Sequence, residues 1–193
     1  LKFTLEQDYF QIDGKTLLIL CEEGEEEYNP MEMLKYGVVI EKIEDQEDLT
    51  EEYLEELNRK HEPERVVVEY NGMWKVSDFE SMKLPDGWEI EQKLTTVDAS
   101  TFQMYLTNLK PLFVEMVRGA ELVLFNRCED LKPLPGYRRS VKVVSPQAEV
   151  IFEDEEGEIE NIFEDDVPYD LKAPVIQIAR EDYGIWYVDM MEN

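Results

Sequence analysis

The chain has 193 residues, of which 43% are hydrophobic and 34% are charged, so it can form one large domain or one domain with an appendage. Its 46 acidic and 19 basic residues leave a formal net charge of −27. This acidity argues against binding to nucleic acid or to a membrane surface, and the aliphatic runs are far shorter than the ~20 residues that span a bilayer.

Short aliphatic or β-branched runs alternate with helical patterns along the chain. The predicted strands cover residues 16–21, 37–43, 65–70, 94–98, 121–126 and 148–152. Apolar residues at helical spacing predict helices over 48–61, which Thr50 would cap, and 100–118, which Pro111 would kink or split. The nearly continuous apolar run at 65–70 is typical of a central strand that is covered on both faces.

This alternation predicts an α/β fold with a mostly parallel sheet and helices on both faces. Ligands of such sheets bind beyond the carboxyl ends of the strands, which here are residues 22–27, 69–72, 98–100 and 126–130. Residues 153–170 hold ten acidic residues and no lysine or arginine. We therefore predict one domain over 1–152, followed over 153–193 by an acidic linker and the start of a C-terminal segment.

The sequence Glu69-Tyr70-Asn71-Gly72 follows the third predicted strand. Phosphate-binding folds place a carboxylate at the end of a buried strand, and a glycine three residues later, beside a γ-phosphate. The carboxylate holds magnesium, usually through water, and the glycine lets a backbone N–H approach the terminal oxygens. The alternative is a charged residue at a strand end, followed by an ordinary Asn-Gly turn.

A second candidate motif, Asn126-Arg127-Cys128-Glu129-Asp130, follows the fifth predicted strand. An asparagine, a basic residue and a carboxylate in this order can bind guanine. The asparagine fixes the loop, the basic side chain lies on the face of the base, and the carboxylate accepts the two N–H groups of the base. That carboxylate is Glu129, or Asp130 if the loop is offset by one residue; the alternative is a helix entry with acidic residues near the dipole.

A third candidate is a metal site at Cys21 and Glu22, because five glutamates lie among residues 22–27 directly after Cys21. A thiolate and a carboxylate are suitable ligands for a borderline metal such as zinc. The alternative is an acidic, solvated loop. Cys21 and Cys128 show no CxxC spacing, which favours reduced cytoplasmic thiols over a disulfide scaffold.

In their order and spacing, residues 16–152 resemble the CobW-like family of P-loop GTPases and metallochaperones, which includes the CobW, HypB and UreG types. The family's motifs NEFG, ExxG, TVVDA, ADxIVLNKxD and NPxA correspond to Cys21-Glu22-Glu23-Gly24, Glu69–Gly72, Thr95-Thr96-Val97-Asp98-Ala99, the stretch 119–130 and Ser145-Pro146-Gln147-Ala148. The chain departs from the family at the CxCC motif, which is absent, and at Arg127 and Glu129, which replace Lys and Asp. The phosphate loop is also absent, and we expect it upstream of Leu1.

The resemblance implies a nucleotide-binding protein that hydrolyses GTP with Mg²⁺ and delivers a metal ion, zinc or cobalt, to a client metalloprotein in the cytoplasm. It implies catalytic roles for Glu69 and Gly72, and metal binding by Cys21 and Glu22. The residues implied to bind the nucleotide are Asn126, Arg127, Glu129, Asp130 and Ser145. Without a phosphate loop the 193 residues are predicted to be inactive alone; the alternative function is a degenerate, non-catalytic acidic docking module of the same fold.

Overall fold

A computed structural model describes residues 1–22, 24, 27–128, 136–154, 157–158, 176–180 and 186–190. The chain divides into two compact units, Leu1–Ile90 and Glu91–Asn193. The division differs from the predicted boundary at residue 152 and falls within residues 81–93, which contain no helix or strand. Among the described residues, no helix has both the length and the apolar character needed to cross a membrane.

The first unit contains a parallel sheet of three strands. The strands are β1 (Thr16–Leu20), β2 (Val38–Lys42) and β3 (Arg65–Glu69). The helices are α1 (Lys2–Leu5), α2 (Pro30–Met33), α3 (Glu51–His61) and α4 (Val76–Glu80), with 3₁₀ turns at Asp8–Phe10, Leu34–Tyr36 and Gln46–Asp48. The spatial order is β2-β1-β3, and both strand pairs are parallel.

Strand β1 is the centre of this sheet, and all five of its residues are buried. Its alternate side chains pack against α3 on one face and against α1 and α2 on the other. The buried residues include Leu17, Ile19, Leu54 and Leu57 on the first face, and Leu5, Leu18, Leu20 and Met33 on the second. Helices therefore cover both faces of the first sheet, as predicted.

The prediction that residues 65–70 form a central strand is wrong for this sheet. Strand β3 lies at its edge, and all five residues of the strand are only half-buried. The reason is that a continuous apolar run reflects cover on the two faces of a strand. It does not report how many neighbours the strand has along its hydrogen-bonding edges.

The predicted cap of α3 is confirmed. Thr50 has an extended backbone, and its Oγ1 accepts a hydrogen bond from the N–H of Tyr53 at 3.2 Å. Glu51 and Glu52 lie in the first turn, and Arg59, Lys60 and His61 lie in the last turn. Both groups of charges complement the helix dipole, so the local sequence determines where this helix begins and ends.

Glu41 of β2 connects this strand to the end of α3. Its Oε1 lies 2.7 Å from Lys60 Nζ and 2.7 Å from His61 Nε2. Burial alone would raise the pKa of Glu41, but the hydrogen bonds from Lys60 and His61 outweigh it, so the pKa is lowered. This carboxylate therefore stabilises the folded state in its charged form.

We expect Glu41→Gln to lower the melting temperature at neutral pH by a few degrees. A carboxylate with a lowered folded-state pKa contributes stability above its unfolded-state pKa of about 4.3, and that contribution is lost as the pH falls through the folded-state value. Thermal unfolding measured from about pH 3 to about pH 7, an interval that brackets that pKa, gives both effects. Exposed Glu44→Gln is the charge-matched control; equal melting temperatures for the two variants at neutral pH would contradict the prediction.

The second unit contains another set of parallel strands. The strands are β4 (Leu94–Asp98), β5 (Leu122–Asn126), β6 (Glu149–Asp154) and β7 (Gly157–Glu158), and the helices are α5 (Phe102–Asn108), α6 (Lys110–Val117) and α7 (Tyr137–Val144). The spatial order is β4-β5-β6-β7, with β4, β5 and β6 parallel and β7 antiparallel. A separate antiparallel hairpin consists of β8 (Ile176–Arg180) and β9 (Trp186–Met190).

The α/β class with parallel strands is thus confirmed, in the form of two small sheets. The predicted split of the helix over 100–118 is also confirmed, because α5 ends at Asn108 and α6 begins at Lys110, with a proline in its first turn. Of the predicted acidic linker, 153–154 and 157–158 are strand residues. Residues 155–156 and 159–175 lie outside the described part of the chain.

Aromatic rings form the centre of the second unit. Phe102 is fully buried, and its ring centroid lies 5.5 Å from that of Phe113, 5.1 Å from that of Phe125 and 4.6 Å from that of Tyr137. The Tyr137 hydroxyl donates to the carbonyl oxygen of Ala99 at 3.0 Å, so its polar atom is satisfied inside the core. The packing joins α5, α6 and α7 to the carboxyl end of β4.

Candidate functional site

In the first unit, four of the predicted site residues lie at one edge of the sheet. Cys21 and Glu22 follow β1, Glu69 ends β3, and Gly72 comes three residues later. The two strands are parallel neighbours, and the N–H of Cys21 donates to the carbonyl oxygen of Glu69 at 2.9 Å. The structure therefore brings the predicted catalytic pair and the predicted metal ligands together at the carboxyl ends of β1 and β3.

The Glu69 side chain is held by a residue that the motifs did not identify. The hydroxyl of Tyr28, which lies between β1 and α2, donates to Glu69 Oε2 at 3.1 Å. One such bond occupies a single lone-pair position of a carboxylate that has about four, so Glu69 retains acceptor capacity for a cation or for water. No local sequence signal identifies Tyr28, because its partner is 41 residues away in the chain.

The backbone of Gly72 already donates to an anion. Its N–H contacts Glu22 Oε2 at 3.3 Å, and the preceding Asn71 accepts the N–H of Met73 through Oδ1 at 2.9 Å. The Asn71 bond forms an ordinary Asx turn, as in the alternative interpretation of this motif. The contact with Glu22 nevertheless demonstrates that an anionic oxygen can reach the Gly72 N–H, which a γ-phosphate oxygen would also have to do.

Cys21 is a neutral thiol in this environment. It is only 2% exposed, and burial, followed by the nearby charge of Glu69, raises its pKa to about 12. A metal ion that binds Cys21 would have to displace this proton. Within the described residues no three His, Cys, Asp or Glu side chains form a metal-binding group; the loop residues Glu23, Glu25 and Glu26 lie outside that part of the chain.

In the second unit, Asp98 and Arg127 meet at the carboxyl ends of β4 and β5. Asp98 lies opposite Asn126 in the parallel register, and Arg127 Nη1 lies 3.2 Å from Asp98 Oδ2. Asp98 Oδ1 accepts hydrogen bonds from the N–H and the hydroxyl of Ser100. Burial alone would raise the pKa of Asp98, but the bonds from Ser100 and the charge of Arg127 outweigh it and lower the pKa.

The predicted base-binding loop begins with an unsatisfied polar atom. Asn126 Oδ1 is buried and has no hydrogen-bond partner among the described residues. Cys128 is buried, and its N–H donates to the carbonyl oxygen of Glu153 at 3.1 Å, so it ties the loop to β6. Glu129 and Asp130, the two candidate base readers, lie outside the described residues.

Ser145, which was also predicted to bind the nucleotide, lies apart from Asn126 and Arg127 in the second unit. Ser145 is buried at the end of α7, and its hydroxyl donates to the carbonyl oxygen of Ala120 at 3.1 Å. Ala120 precedes the amino end of β5, whereas Asn126 ends this strand, a separation of about 20 Å at ~3.3 Å per residue. Ser145 therefore satisfies a backbone carbonyl at the opposite end of the sheet.

The structure adds Asp98 to the residues that sequence reasoning singled out. The strand-end rule pointed to residues 98–100, but no motif assigned Asp98 a role. No family model, curated protein or solved structure matches this chain. Functional conclusions therefore rest on the residues of the chain itself.

Proposed function

We propose that the chain is part of a GTP-binding protein that couples hydrolysis of GTP to delivery or insertion of a metal ion, in a P-loop-type α/β fold. The observation that supports this most directly is the convergence of Glu22, Glu69 and Gly72 at the carboxyl ends of two parallel strands. Parallel α/β sheets bind phosphate-containing ligands at such ends. Proteins that hydrolyse nucleotides need a carboxylate and a backbone N–H group there.

In this proposal Glu69 holds magnesium and the N–H of Gly72 contacts the γ-phosphate. Bound magnesium would neutralise the negative charge on the phosphate oxygens. Tyr28 orients the Glu69 carboxylate through its hydroxyl, which donates at 3.1 Å. A phosphate oxygen that binds the Gly72 N–H would compete with Glu22, whose Oε2 contacts this N–H at 3.3 Å.

Asn126, Arg127 and a carboxylate at Glu129 or Asp130 would bind the base. The buried, unpartnered Oδ1 of Asn126 supports this assignment, because buried acceptors in native proteins nearly always have a donor. A donor from the ligand or from the loop that follows would satisfy it. Arg127 is half-exposed beside it, and a guanidinium group stacks well on an aromatic base.

The cargo in this proposal is zinc or cobalt, with Cys21 and Glu22 as ligands. The raised pKa of Cys21 makes binding depend on pH, because the metal competes with a proton for the thiolate. A buried thiol next to exposed Glu22 at the same strand end would take up metal readily only when the proton is removed. A client metalloprotein would receive the metal.

The second candidate is a non-catalytic acidic docking module of the same fold. Two observations favour it: the Gly72 N–H is engaged by Glu22, and no GxxxxGK[ST] phosphate loop occurs within the 193 residues. The net charge of −27 would then attract a basic partner surface. The two functions differ in one property, which is specific binding of a guanine nucleotide.

We expect the 193-residue chain to bind Mg²⁺–GTP with millimolar affinity at best, since backbone N–H groups and the lysine of a phosphate loop supply much of the affinity of such proteins. Amide NMR titrations with GTP, ATP and inorganic triphosphate measure this weak binding and locate it. GTP should shift the resonances of Gly72 and Asn126. Inorganic triphosphate should shift Gly72 only, and ATP should shift Asn126 less than GTP does.

Each alternative outcome of this titration has a definite meaning. Micromolar affinity would contradict the need for a phosphate loop. Shifts that are absent, or spread equally over all three ligands, would overturn the nucleotide-binding proposal and favour the docking module. Gly72→Ala is the local test. Ser81→Ala is the control, because Ser81 is exposed and lies elsewhere in the first unit.

A further inference from the structure

Asp98 is a charged side chain with a fixed orientation. Its Oδ1 accepts two hydrogen bonds from Ser100, one from the N–H at 2.9 Å and one from the hydroxyl at 2.6 Å. These bonds leave Oδ2 for another partner, and Arg127 Nη1 contacts it at 3.2 Å. A carboxylate that is held through one oxygen presents the other oxygen in a defined place.

The backbone of Arg127 is also constrained. Its φ of 55° lies in the left-handed region, which non-glycine residues adopt at some energetic cost. On either side of it the chain is anchored, because the carbonyl oxygen of Asn126 accepts the N–H of Ala99 at 3.0 Å and the N–H of Cys128 donates to Glu153. The backbone therefore directs the Arg127 side chain to Asp98.

This constrained arginine lies next to the one buried side-chain acceptor that lacks a partner in the described part of the chain, Asn126 Oδ1. The Arg127 side chain is 52% exposed, so a ligand can reach it while its guanidinium group contacts Asp98. A partly exposed planar cation, next in the chain to a buried acceptor without a partner, would suit a flat heteroaromatic ring that carries N–H donors.

We infer that Asp98 is a positioning residue that holds the Arg127 guanidinium in place as a platform for the nucleotide base. This inference rests on the proposed function and deepens it, since it assigns the base-binding role of Arg127 to a pair of residues. A lysine or arginine that is not held loses rotamer freedom when it stacks on a ligand. The Asp98 contact lowers that cost before the ligand arrives.

The test compares dissociation constants of GTP and of ribose triphosphate, which lacks the base, for the complete gene product. We expect Asp98→Asn to weaken GTP binding by about three- to tenfold, the range of an arginine–aromatic contact, and to leave ribose triphosphate unchanged. Arg127→Ala should do the same, and the double variant should bind no more weakly than Arg127→Ala alone. A residue that only stabilised the fold would affect both ligands alike.

Two further variants make the test robust. Ser100→Ala removes the 2.6 Å bond to Asp98 while leaving its charge, and should give a smaller loss of GTP affinity in the same direction. Glu121→Gln is the matched control, because Glu121 is exposed and precedes the amino end of β5. This variant should change neither dissociation constant. Melting temperatures of all variants identify any that are unfolded. If Asp98→Asn is unfolded, the GTP affinity of Ser100→Ala tests the inference.

The two possible failures are distinguishable. If the wild type binds GTP no better than ribose triphosphate, the proposed base site is absent, and the proposed function fails together with this inference. If the wild type prefers GTP and Asp98→Asn keeps the full preference, the inference alone fails. An equal loss from Asp98→Asn in the wild-type and Arg127→Ala backgrounds would also overturn it, because Asp98 would then not act through Arg127.

Discussion

Replacement of Glu69 by glutamine should lower the rate of GTP hydrolysis by the complete gene product about 100-fold, while the dissociation constant of GTP changes only a few-fold. The substitution keeps the size of the side chain and removes the charge that would hold magnesium. Electrostatic stabilisation of this kind matters most in the transition state, and loss of one such interaction typically costs two to three orders of magnitude. Steady-state kinetics with a parallel binding titration measure the two effects separately.

Two variants control for this experiment. Tyr28→Phe removes the hydrogen bond to Glu69 Oε2 and leaves the charge, so turnover should fall only a few-fold. Exposed Glu89→Gln, in the same unit, should leave turnover unchanged. If Glu69→Gln turns over at the wild-type rate, Glu69 is an ordinary residue at a strand end; if the wild type does not hydrolyse GTP, the enzymatic proposal itself is wrong.

Phe102→Ala should destabilise the second unit by about 3–5 kcal/mol, the range measured when a fully buried phenylalanine is truncated. The ring contacts Phe113, Phe125 and Tyr137, so its removal leaves a cavity at the centre of the aromatic core. Relaxation around the cavity is limited because these rings belong to different helices and to β5. Urea unfolding gives the free energy, and hydrogen exchange over residues 94–152 locates the effect.

Met104→Ala on the same helix is the control, since this side chain is 63% exposed. We expect its free energy of unfolding to stay within about 0.5 kcal/mol of the wild-type value. A loss below about 1 kcal/mol for Phe102→Ala, well short of the usual range for such truncations, would show that the ring does not contribute to the core in the way its contacts indicate. Protection of β5 amides should fall in parallel with the free energy.

Local features of this chain could be predicted from sequence because local chemistry decides them. Thr50 caps α3, the proline at 111 ends one helix and begins another, and Leu94–Asp98 is a strand with the predicted bounds. Hydrophobic periodicity and backbone chemistry act within a few residues, so they can be recognised without knowing which distant segments pack against them. The sequence pattern did not indicate α2, α4 and α7, because these helices have 4, 5 and 8 residues and therefore show too few turns of apolar periodicity.

Candidate site residues could be predicted only at the carboxyl ends of strands, where parallel sheets bind their ligands. The rule of carboxyl ends singled out the residues after β1 and β3 as candidates, and the structure places Cys21, Glu22, Glu69 and Gly72 together there. The same rule could not place Ser145, which follows a helix. It also could not identify Tyr28, whose contact with Glu69 depends on the path of a loop.

The sequence by itself determined the α/β class, the order of the first six strands, and which segments carry chemically active side chains, because each depends on composition and short-range pattern. Tertiary structure decided that β3 is an edge strand, that the parallel strands divide between two sheets, and that Asp98 contacts Arg127. These depend on pairing between segments that are distant in the chain. Strand pairing uses backbone groups, which nearly all residues share. The side-chain pattern therefore indicates that the faces of a strand are covered, but it does not identify the strands that pair with it.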